Sequence, residues 1–374
     1  MSQTPRFYPV SLPTLGGNEL EYVTDAVRSG WISSLGTYVT RFEEEFAAFC
    51  EVEHAISVSN GTVAIHLALA VLDVGPGDEV IVPDLSFIAT ANSVLMCGAK
   101  PVFCDVDPVT LCMDPVSAEA AITPATKAIM PVHLYGHPAD LVALKSVCDR
   151  HNLLMIEDAA EAHGASAYGR KVGGFGTCAT FSFYANKNLT TGEGGMITTN
   201  DGALAARLRK RRDHAMSPQK RYWHTEMGFN YRITNMQAAV GCAQLEQAEE
   251  LLGARRRVFD VYQKNLGDVD GLLLNRTAQW ADNSYWMVCA EIPGMEDATR
   301  ETLMARLREK GVDTRPYFYP MSHMPYLERA DNPVATTVSQ AGLNLPTHAQ
   351  LNDDDITHIS AVFMETVREM ELVV

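Results

Sequence analysis

The sequence predicts an α/β protein in which a large, mostly parallel sheet is covered by helices and followed by a smaller α/β domain. Short apolar runs alternate with helical patterns through the first two thirds of the chain, which is typical of parallel β–α–β units. The chain has 374 residues, of which 47% are hydrophobic, and this suffices for two cores. We expect a large domain over residues 1–250 and a small C-terminal domain over residues 251–374.

Each element of the large domain is predicted from its own pattern. Apolar runs of strand length predict six strands, at residues 79–84, 101–105, 128–134, 153–157, 179–184 and 196–199. Helical patterns lie between them, at residues 62–72, 87–97, 116–122 and 140–152. Strands and helices therefore alternate in the order that a parallel sheet requires.

The last third of the chain has a different pattern. Residues 235–266 form one long helical run with little turn signal, which we interpret as the connector out of the large domain. After it come a strand-like stretch at 286–292 and helical patterns at 299–310 and 353–370. These elements predict the small α/β domain.

Charge and composition exclude several classes of protein. The net charge is −16 and the pI is about 5.1, which disfavours a nucleic-acid binder. No apolar run is long enough to span a bilayer, and the N-terminus lacks the apolar core of a signal peptide. The eight cysteines are scattered, without CxxC pairs or zinc-ligand spacing. We expect a cytoplasmic protein with reduced thiols, no metal site and no membrane partner.

Polar residues follow several of the predicted strands. Asp84, Asp105, His133 and Asp158 all lie at or near strand ends. Ligands of parallel sheets bind beyond the carboxyl ends of the strands. The sequence therefore predicts a ligand site at this edge.

Lys187 and Asp158 are the strongest candidates for chemistry at that edge. Lys187 follows the apolar run 178–183, and Asp158 ends the run 153–157. Alone, Asp158 is equally well a helix N-cap and Lys187 a surface lysine. Together they are the pair that a pyridoxal phosphate enzyme needs, because the lysine forms a Schiff base with the cofactor and the acid keeps the pyridine nitrogen protonated.

Further residues fit this interpretation less specifically. The segment 59–62 (SNGT) opens a helical stretch, and bare amides at a helix N-terminus bind phosphate, although an ordinary helix cap has the same composition. Phe87 could stack on a pyridine ring, but a single aromatic residue more often belongs to the core. His323, in a segment rich in proline and aromatic residues, is more often a packed surface residue than an acid or base.

The assembled motifs resemble the nucleotide-sugar aminotransferases of the DegT/DnrJ/EryC1/StrS family. They occur in order at 30–36 (GWISSLG), 59–62 (SNGT), 156–165 (IEDAAEAHGA), 182–187 with 190–195 (SFYANK, TTGEGG), and 228–232 with 237–239 (GFNYR, QAA). The resemblance covers nearly the whole chain. It implies a pyridoxal phosphate enzyme of fold type I, with the large domain binding the cofactor.

The resemblance also assigns roles to residues of this chain. Lys187 and Asp158 are the catalytic pair, and Glu161 stands near the ring hydroxyl of the cofactor, where many members carry glutamine. The other implied cofactor contacts are Gly61, Thr62 and Ser182 at the phosphate, Phe87 on the ring, and Asn230 at the phosphate of a neighbouring subunit. The last contact implies a homodimer with shared active sites.

Substrates follow from the same resemblance. L-glutamate is the implied amino donor, and a nucleotide-linked keto sugar is the acceptor. The segments 221–223 and 320–321 are most similar to members that act on a GDP-linked sugar, so GDP-4-keto-6-deoxymannose is the expected acceptor. We expect contacts with the substrate from Trp31, Ser33, Arg315, Tyr319 and His323.

Three alternatives remain open at the level of the sequence. The acceptor could be a UDP- or dTDP-linked keto sugar, a 3-keto sugar or a cyclitol. The chain could be a ligand-sensing regulator on the same fold, although the presence of Lys187 and Asp158 argues against this. A nucleotide-binding module without pyridoxal phosphate is disfavoured, because neither GxxxxGK[ST] nor a strand-linked GxGxxG occurs.

Overall fold

The computed structural model describes residues 6–373. The strands are β1 (His54–Val58), β2 (Glu79–Pro83), β3 (Lys100–Cys104), β4 (Thr126–Ile129), β5 (Leu154–Asp158), β6 (Ser166–Ala167), β7 (Arg170–Lys171), β8 (Cys178–Ser182), β9 (Gly195–Thr199), β10 (Leu273–Leu274), β11 (Ala281–Asp282), β12 (Val288–Glu291), β13 (Arg315–Pro316) and β14 (Gly342–Leu345). The helices are α1 (Glu19–Ser29), α2 (Thr37–Phe49), α3 (Gly61–Val71), α4 (Ala89–Met96), α5 (Pro115–Ala120), α6 (Leu141–His151), α7 (Gly202–Arg212), α8 (Asn235–Glu246), α9 (Ala248–Leu266), α10 (Asp297–Glu309), α11 (Pro333–Ala341) and α12 (Asp353–Glu369).

A seven-stranded sheet forms the centre of the molecule, in the order β1-β9-β8-β5-β4-β2-β3. The pairs from β8 to β3 are parallel, and β9 runs antiparallel to both of its neighbours. Six strands therefore point the same way. The predicted fold class, a mostly parallel sheet in an α/β protein, is confirmed.

Alternate residues of these strands face two separate cores. On β2, Val80 and Val82 belong to one core and Ile81 to the other. On β5, Met155 and Ile156 are divided in the same way. Because side chains alternate along a strand, a sheet buried on both faces needs apolar residues at successive positions. This is why the strands appear in the sequence as unbroken apolar runs.

One predicted strand was too long. The run 128–134 was expected to be a single strand, but β4 ends at Ile129. Pro131 follows, and proline has no N–H with which to continue a ladder. The chain then forms a short 3-10 turn at Leu134–Gly136, in which Tyr135 has a φ of 53°. This turn brings Tyr135 to the carboxyl end of β5.

The predicted long helix 235–266 was also wrong as a single element. It is two helices, α8 and α9, which meet at Gln247, where φ is −108°. The N-terminal helices α1 and α2 and strand β1 had not been predicted. Every other predicted element occurs within about two residues of its expected ends.

A smaller antiparallel sheet, β10-β12-β14-β13, lies in the last third of the chain. With α9, α10 and α12 it encloses a third core, to which Tyr8 from the N-terminal segment also contributes. Other C-terminal residues, including Tyr317, Met321 and Ala335, are packed in the two cores of the large sheet instead. The division of the chain at residue 250 stays a prediction.

Within residues 6–373 no helix is long and apolar enough to cross a membrane.

Candidate active site

The Lys187 side chain points into the protein and is only 10% exposed. Its loop follows β8 and is held by distant parts of the chain, because the Asn186 carbonyl accepts hydrogen bonds from the Ser11 hydroxyl and the Trp286 indole. The amine nitrogen lies 3.7 Å from the centroid of the Trp286 ring. Burial lowers the pKa of Lys187, and neighbouring carboxylates partly oppose this effect. A buried amine whose pKa is lowered is better suited to act as a nucleophile than a surface lysine.

Asp158 is the last residue of β5, the strand beside β8 in the sheet. One carboxylate oxygen accepts a hydrogen bond from the Thr90 hydroxyl at 2.8 Å, and the other accepts the Ala160 N–H at 3.2 Å. Burial raises the pKa of Asp158. The described part of the chain gives this carboxylate neutral donors but no ion-pair partner. A cation bound beside it would offset the cost of its burial.

Glu161 is the second buried carboxylate of the site and is 4% exposed. Its Oε2 accepts the backbone N–H of Tyr135 at 2.9 Å. Its Oε1 lies 3.7 Å from the Lys187 nitrogen. Burial raises the pKa of Glu161 to about 7, even though Lys187 and the Tyr135 N–H act in the opposite direction.

A second group of residues meets at the N-terminus of α3. Asn60 caps this helix by accepting the Val63 N–H, while the N–H groups of Gly61 and Thr62 have no acceptor within residues 6–373. Ser182 lies against Gly61, since a Cβ atom added to the glycine would be 2.7 Å from the Ser182 Cβ and 3.1 Å from its Oγ. Free amides, a hydroxyl and the positive end of a helix suit a phosphate. We call Gly61, Thr62 and Ser182 the phosphate cradle.

Phe87 and Asn230 are placed differently from this buried group. Phe87 is 54% exposed, and its ring centroid is 5.9 Å from that of Phe318. Asn230 is exposed, and its side-chain oxygen accepts hydrogen bonds from Arg232 of the same chain. Its contact with a neighbouring subunit stays a prediction.

The five expected substrate contacts have different partners within the chain. The carbonyls of Trp31 and Ser33 accept hydrogen bonds from Asn235 at the start of α8. Arg315 pairs with Asp313. Tyr319 is hydrogen-bonded to the buried Arg300, and His323 lies in the 3-10 turn Met321–His323. Their roles in substrate binding stay predictions.

Two aspartates expected at the ligand edge hold protein segments instead. Asp84 accepts the N–H and the hydroxyl of Ser322 at 2.7 and 2.8 Å, and the Asn332 side-chain amide at 3.0 Å. Asp105 accepts the N–H groups of Val334 and Ala335 at the start of α11. Both aspartates therefore fix the C-terminal segment 320–335 to the carboxyl edge of the large sheet.

Tyr135 and Trp286 were not found from the sequence. The Tyr135 ring lies nearly parallel to those of Trp286 and Phe318, and its hydroxyl accepts the Phe318 N–H at 2.9 Å. These contacts join residues far apart in the chain, and no local pattern marks them. The one feature of the sequence that points to this turn is Gly136, which follows Tyr135 and has a φ of 103°.

The site fits pyridoxal phosphate in three respects. Lys187 provides a buried amine, Asp158 a buried carboxylate without a cation from residues 6–373, and the cradle two amides that no acceptor in the same residues engages, beside a hydroxyl. An amine, a partner for the pyridinium and a phosphate site are the protein groups that this cofactor requires. Within residues 6–373 no group of side chains suited to a metal ion occurs.

Comparisons with known proteins agree with this chemistry. A model of the DegT/DnrJ/EryC1/StrS aminotransferase family matches residues 13–364. A protein of Caulobacter vibrioides named GDP-perosamine synthase is 49% identical, with 96% of this chain and 98% of that protein covered. The structure of 3-amino-5-hydroxybenzoic acid synthase superposes with a TM-score of 0.92 at 32% identity, covering 98% of this chain and 100% of the other. The structure of DesI in the presence of its TDP-sugar product superposes with a TM-score of 0.90 at 32% identity, covering 99% of this chain and 95% of the other.

Proposed function

Because the chain belongs to the DegT/DnrJ/EryC1/StrS aminotransferase family, we propose that it transfers an amino group from L-glutamate to a keto sugar linked to GDP. It is a pyridoxal phosphate-dependent sugar aminotransferase, so the cofactor and the class of activity predicted from the sequence are confirmed. The name of the Caulobacter vibrioides relative supports GDP-perosamine as the product, and the resemblance of the sequence implies GDP-4-keto-6-deoxymannose as the acceptor.

The observation that carries the proposal is the buried amine of Lys187 beside two carboxylates. Lys187 holds the cofactor and moves a proton between the cofactor and the substrate carbon. Asp158 keeps the pyridine nitrogen protonated, and Glu161 stands beside the ring oxygen. The phosphate cradle, Gly61, Thr62 and Ser182, binds the phosphate. When bound, pyridoxal phosphate supplies an electron-withdrawing ring and a carbon that carries the amino group from donor to acceptor.

The first experiment is the visible absorption spectrum of the purified protein. We expect a cofactor band that L-glutamate bleaches and that a keto sugar nucleotide restores, since these are the two halves of the transfer. Absence of the band after addition of pyridoxal phosphate would contradict the proposal. A band that responds to glutamate, with no turnover of any acceptor, would favour the ligand-sensing regulator.

Replacement of Lys187 tests the assignment of the lysine. Lys187→Ala removes the only group proposed to hold the cofactor covalently, so we expect turnover to be abolished. Lys145→Ala is the control, because the Lys145 side chain is 45% exposed and its one ion-pair partner within residues 6–373 is Asp149. A Lys187→Ala protein that turns over at the wild-type rate would rule out the assignment.

The nucleotide is tested by competition between acceptors. GDP-, UDP- and dTDP-linked keto sugars are compared by kcat/KM. We expect the GDP sugar to be preferred. Preference for a dTDP sugar would instead agree with the TDP-sugar product named for DesI, and preference for a 3-keto sugar or a cyclitol would change the position that is aminated.

We also propose a homodimer with shared active sites. Large apolar side chains of the N-terminal region are exposed, among them Leu20 at 81%, Trp31 at 56% and Leu35 at 64%, and such exposure is typical of an interface. Asn230 is exposed and available to a second chain. Light scattering gives the mass. Mixing inactive Lys187→Ala and Asn230→Ala chains tests the sharing, since mixed dimers regain one complete site only if Asn230 acts across the interface.

A cytoplasmic location is the last part of the proposal. All eight cysteines are unpaired and seven of them are buried, which agrees with a reducing compartment. Fractionation of cells that produce the protein tests this location.

A further inference from the structure

Three ionisable side chains that interact with one another are buried beside the carboxyl end of β5. Lys187, Asp158 and Glu161 are each at most 10% exposed, and together they are two carboxyls and one amine. A buried charge needs a partner. Under the proposed function Asp158 is paired with the pyridine nitrogen, and this leaves Glu161 as the carboxylate that faces Lys187.

The position of Glu161 is set by the backbone. The Tyr135 N–H holds its Oε2 at 2.9 Å, and the Tyr135 ring stacks on the rings of Trp286 and Phe318. Its Oε1 is consequently directed at the Lys187 nitrogen, 3.7 Å away. Distances between catalytic groups are often longer than a hydrogen bond before substrate binds, and the long lysine side chain can close this one.

Burial holds the pKa values of four neighbouring groups away from neutral pH. Burial lowers the pKa of His163 to about 3. Burial raises the pKa of the Tyr135 phenol and of the Cys112 and Cys289 thiols. His133 is engaged by Glu157 and by the Ala139 N–H.

Glu161 and Lys187 differ from these groups because they are shifted towards each other. Burial raises the pKa of Glu161 to about 7 and lowers that of Lys187. Transfer of a proton between them therefore costs less than it would between a carboxylate and an ammonium in water.

We propose that Glu161 is a catalytic residue that accepts a proton from the Lys187 amine and later returns it. One proton passes from Nζ to Oε1, which leaves a neutral amine and a neutral carboxylic acid, and no other bond changes. Only the neutral amine can attack a carbonyl carbon. This role rests on the proposed function, since it concerns the same lysine.

The first test uses cofactor-free protein and needs no activity. An amine reagent in limiting amount labels Lys187 at a series of pH values, and mass spectrometry measures the rate. Glu161→Gln keeps the shape and the acceptor for the Tyr135 N–H, but it removes the negative charge that favours the ammonium. Glu193→Gln is the matched control, because it makes the same change on an exposed residue of the next turn.

For Glu161→Gln we expect the labelling curve to move to lower pH and the rate at pH 7 to rise about tenfold or more, as a shift of one unit implies. Glu193→Gln should follow the wild type. A Glu161→Gln curve that coincides with that of the wild type would overturn the proposal.

The second test is the pH dependence of kcat in the loaded enzyme. Glu161 accepts a proton only when it is ionised, so wild-type kcat should rise with pH through about 7, the value to which burial raises its pKa. Glu161→Gln should lower kcat and lose this limb, because the proton that Lys187 releases in each turnover then has no acceptor at residue 161, even though more of the resting amine is neutral. Glu161→Asp should keep the limb. A purely structural role would lower kcat equally at every pH.

The two proposals fail in different ways. A wild-type protein without cofactor band or turnover contradicts the proposed function, whatever the labelling shows. A wild-type enzyme that turns over, with the pH profile of kcat unchanged in Glu161→Gln, contradicts only the role of Glu161.

Discussion

Adding one methyl group to Gly61 should close the phosphate cradle. An alanine Cβ there would lie 2.7 Å from the Ser182 Cβ, 3.1 Å from its Oγ and 3.3 Å from its Cα. The first and third of these atoms are fixed to strand β8, so the strand end or the helix must move. Overpacking of this kind costs about 1–3 kcal/mol. Because the groups that must move are those that bind the phosphate, we expect affinity for pyridoxal phosphate to drop about 5- to 150-fold.

The assay is titration of cofactor-free Gly61→Ala with pyridoxal phosphate, followed by visible absorption, together with urea unfolding. Gly253→Ala is the control: it adds the same methyl group within helix α9, where nothing lies within 4 Å, and it should leave affinity unchanged and raise stability by up to about 1 kcal/mol. Wild-type affinity in Gly61→Ala would refute the assignment of the cradle. An equal loss of affinity in Gly61→Ala and Gly253→Ala would show that the loss does not arise at the phosphate cradle.

Two further predictions concern stability. Asp84→Ala leaves three buried donors without their acceptor, so we expect urea unfolding to show that the free energy of unfolding falls by about 3 kcal/mol or more. The exposed control Asp331→Ala should not show this loss, and equal midpoints for the two variants would contradict the role of Asp84 in fixing segment 320–335. Burial lowers the pKa of His163 to about 3. As pH falls below about 6.5, the imidazole is therefore protonated in the unfolded chain but not in the folded chain, and the folded state loses stability. His163→Leu should therefore reduce the loss in the free energy of unfolding between pH 7 and pH 5 by about 2 kcal/mol. The exposed control His358→Leu should not change this loss. A His163→Leu protein whose stability depends on pH as the wild type's does would contradict the prediction.

The elements of the large sheet were predictable from the sequence, because each depends on a pattern of neighbouring residues. The strands of the large sheet are buried on both faces and appear as apolar runs, and two of them end at Asp158 and before Lys187. That β5 and β8 are neighbours in the sheet is known from the structure alone, because the sequence predicted both strand ends but not the strand order.

The surroundings of the lysine were not predictable, because they depend on contacts between distant segments. Trp286 reaches Asn186 across 100 residues, and the Tyr135 N–H that faces Glu161 belongs to a residue with a φ of 53°. Asp84 and Asp105 illustrate the same limit. Their location at strand ends was correct, but the groups that they bind come from the far end of the chain.

The contacts of Asp84 with Ser322 also set the time at which the site can be completed during synthesis. The two residues are 238 positions apart in the chain. At ribosomal rates of roughly 5–20 residues per second, about 10 to 50 seconds separate their appearance. For that interval the carboxyl edge of a nascent sheet has no covering segment, and its aspartates face water. A ribosome stalled before residue 320 would therefore present strands β2 to β9 without the segment that covers this edge, and pyridoxal phosphate added to such a complex would meet an open sheet edge.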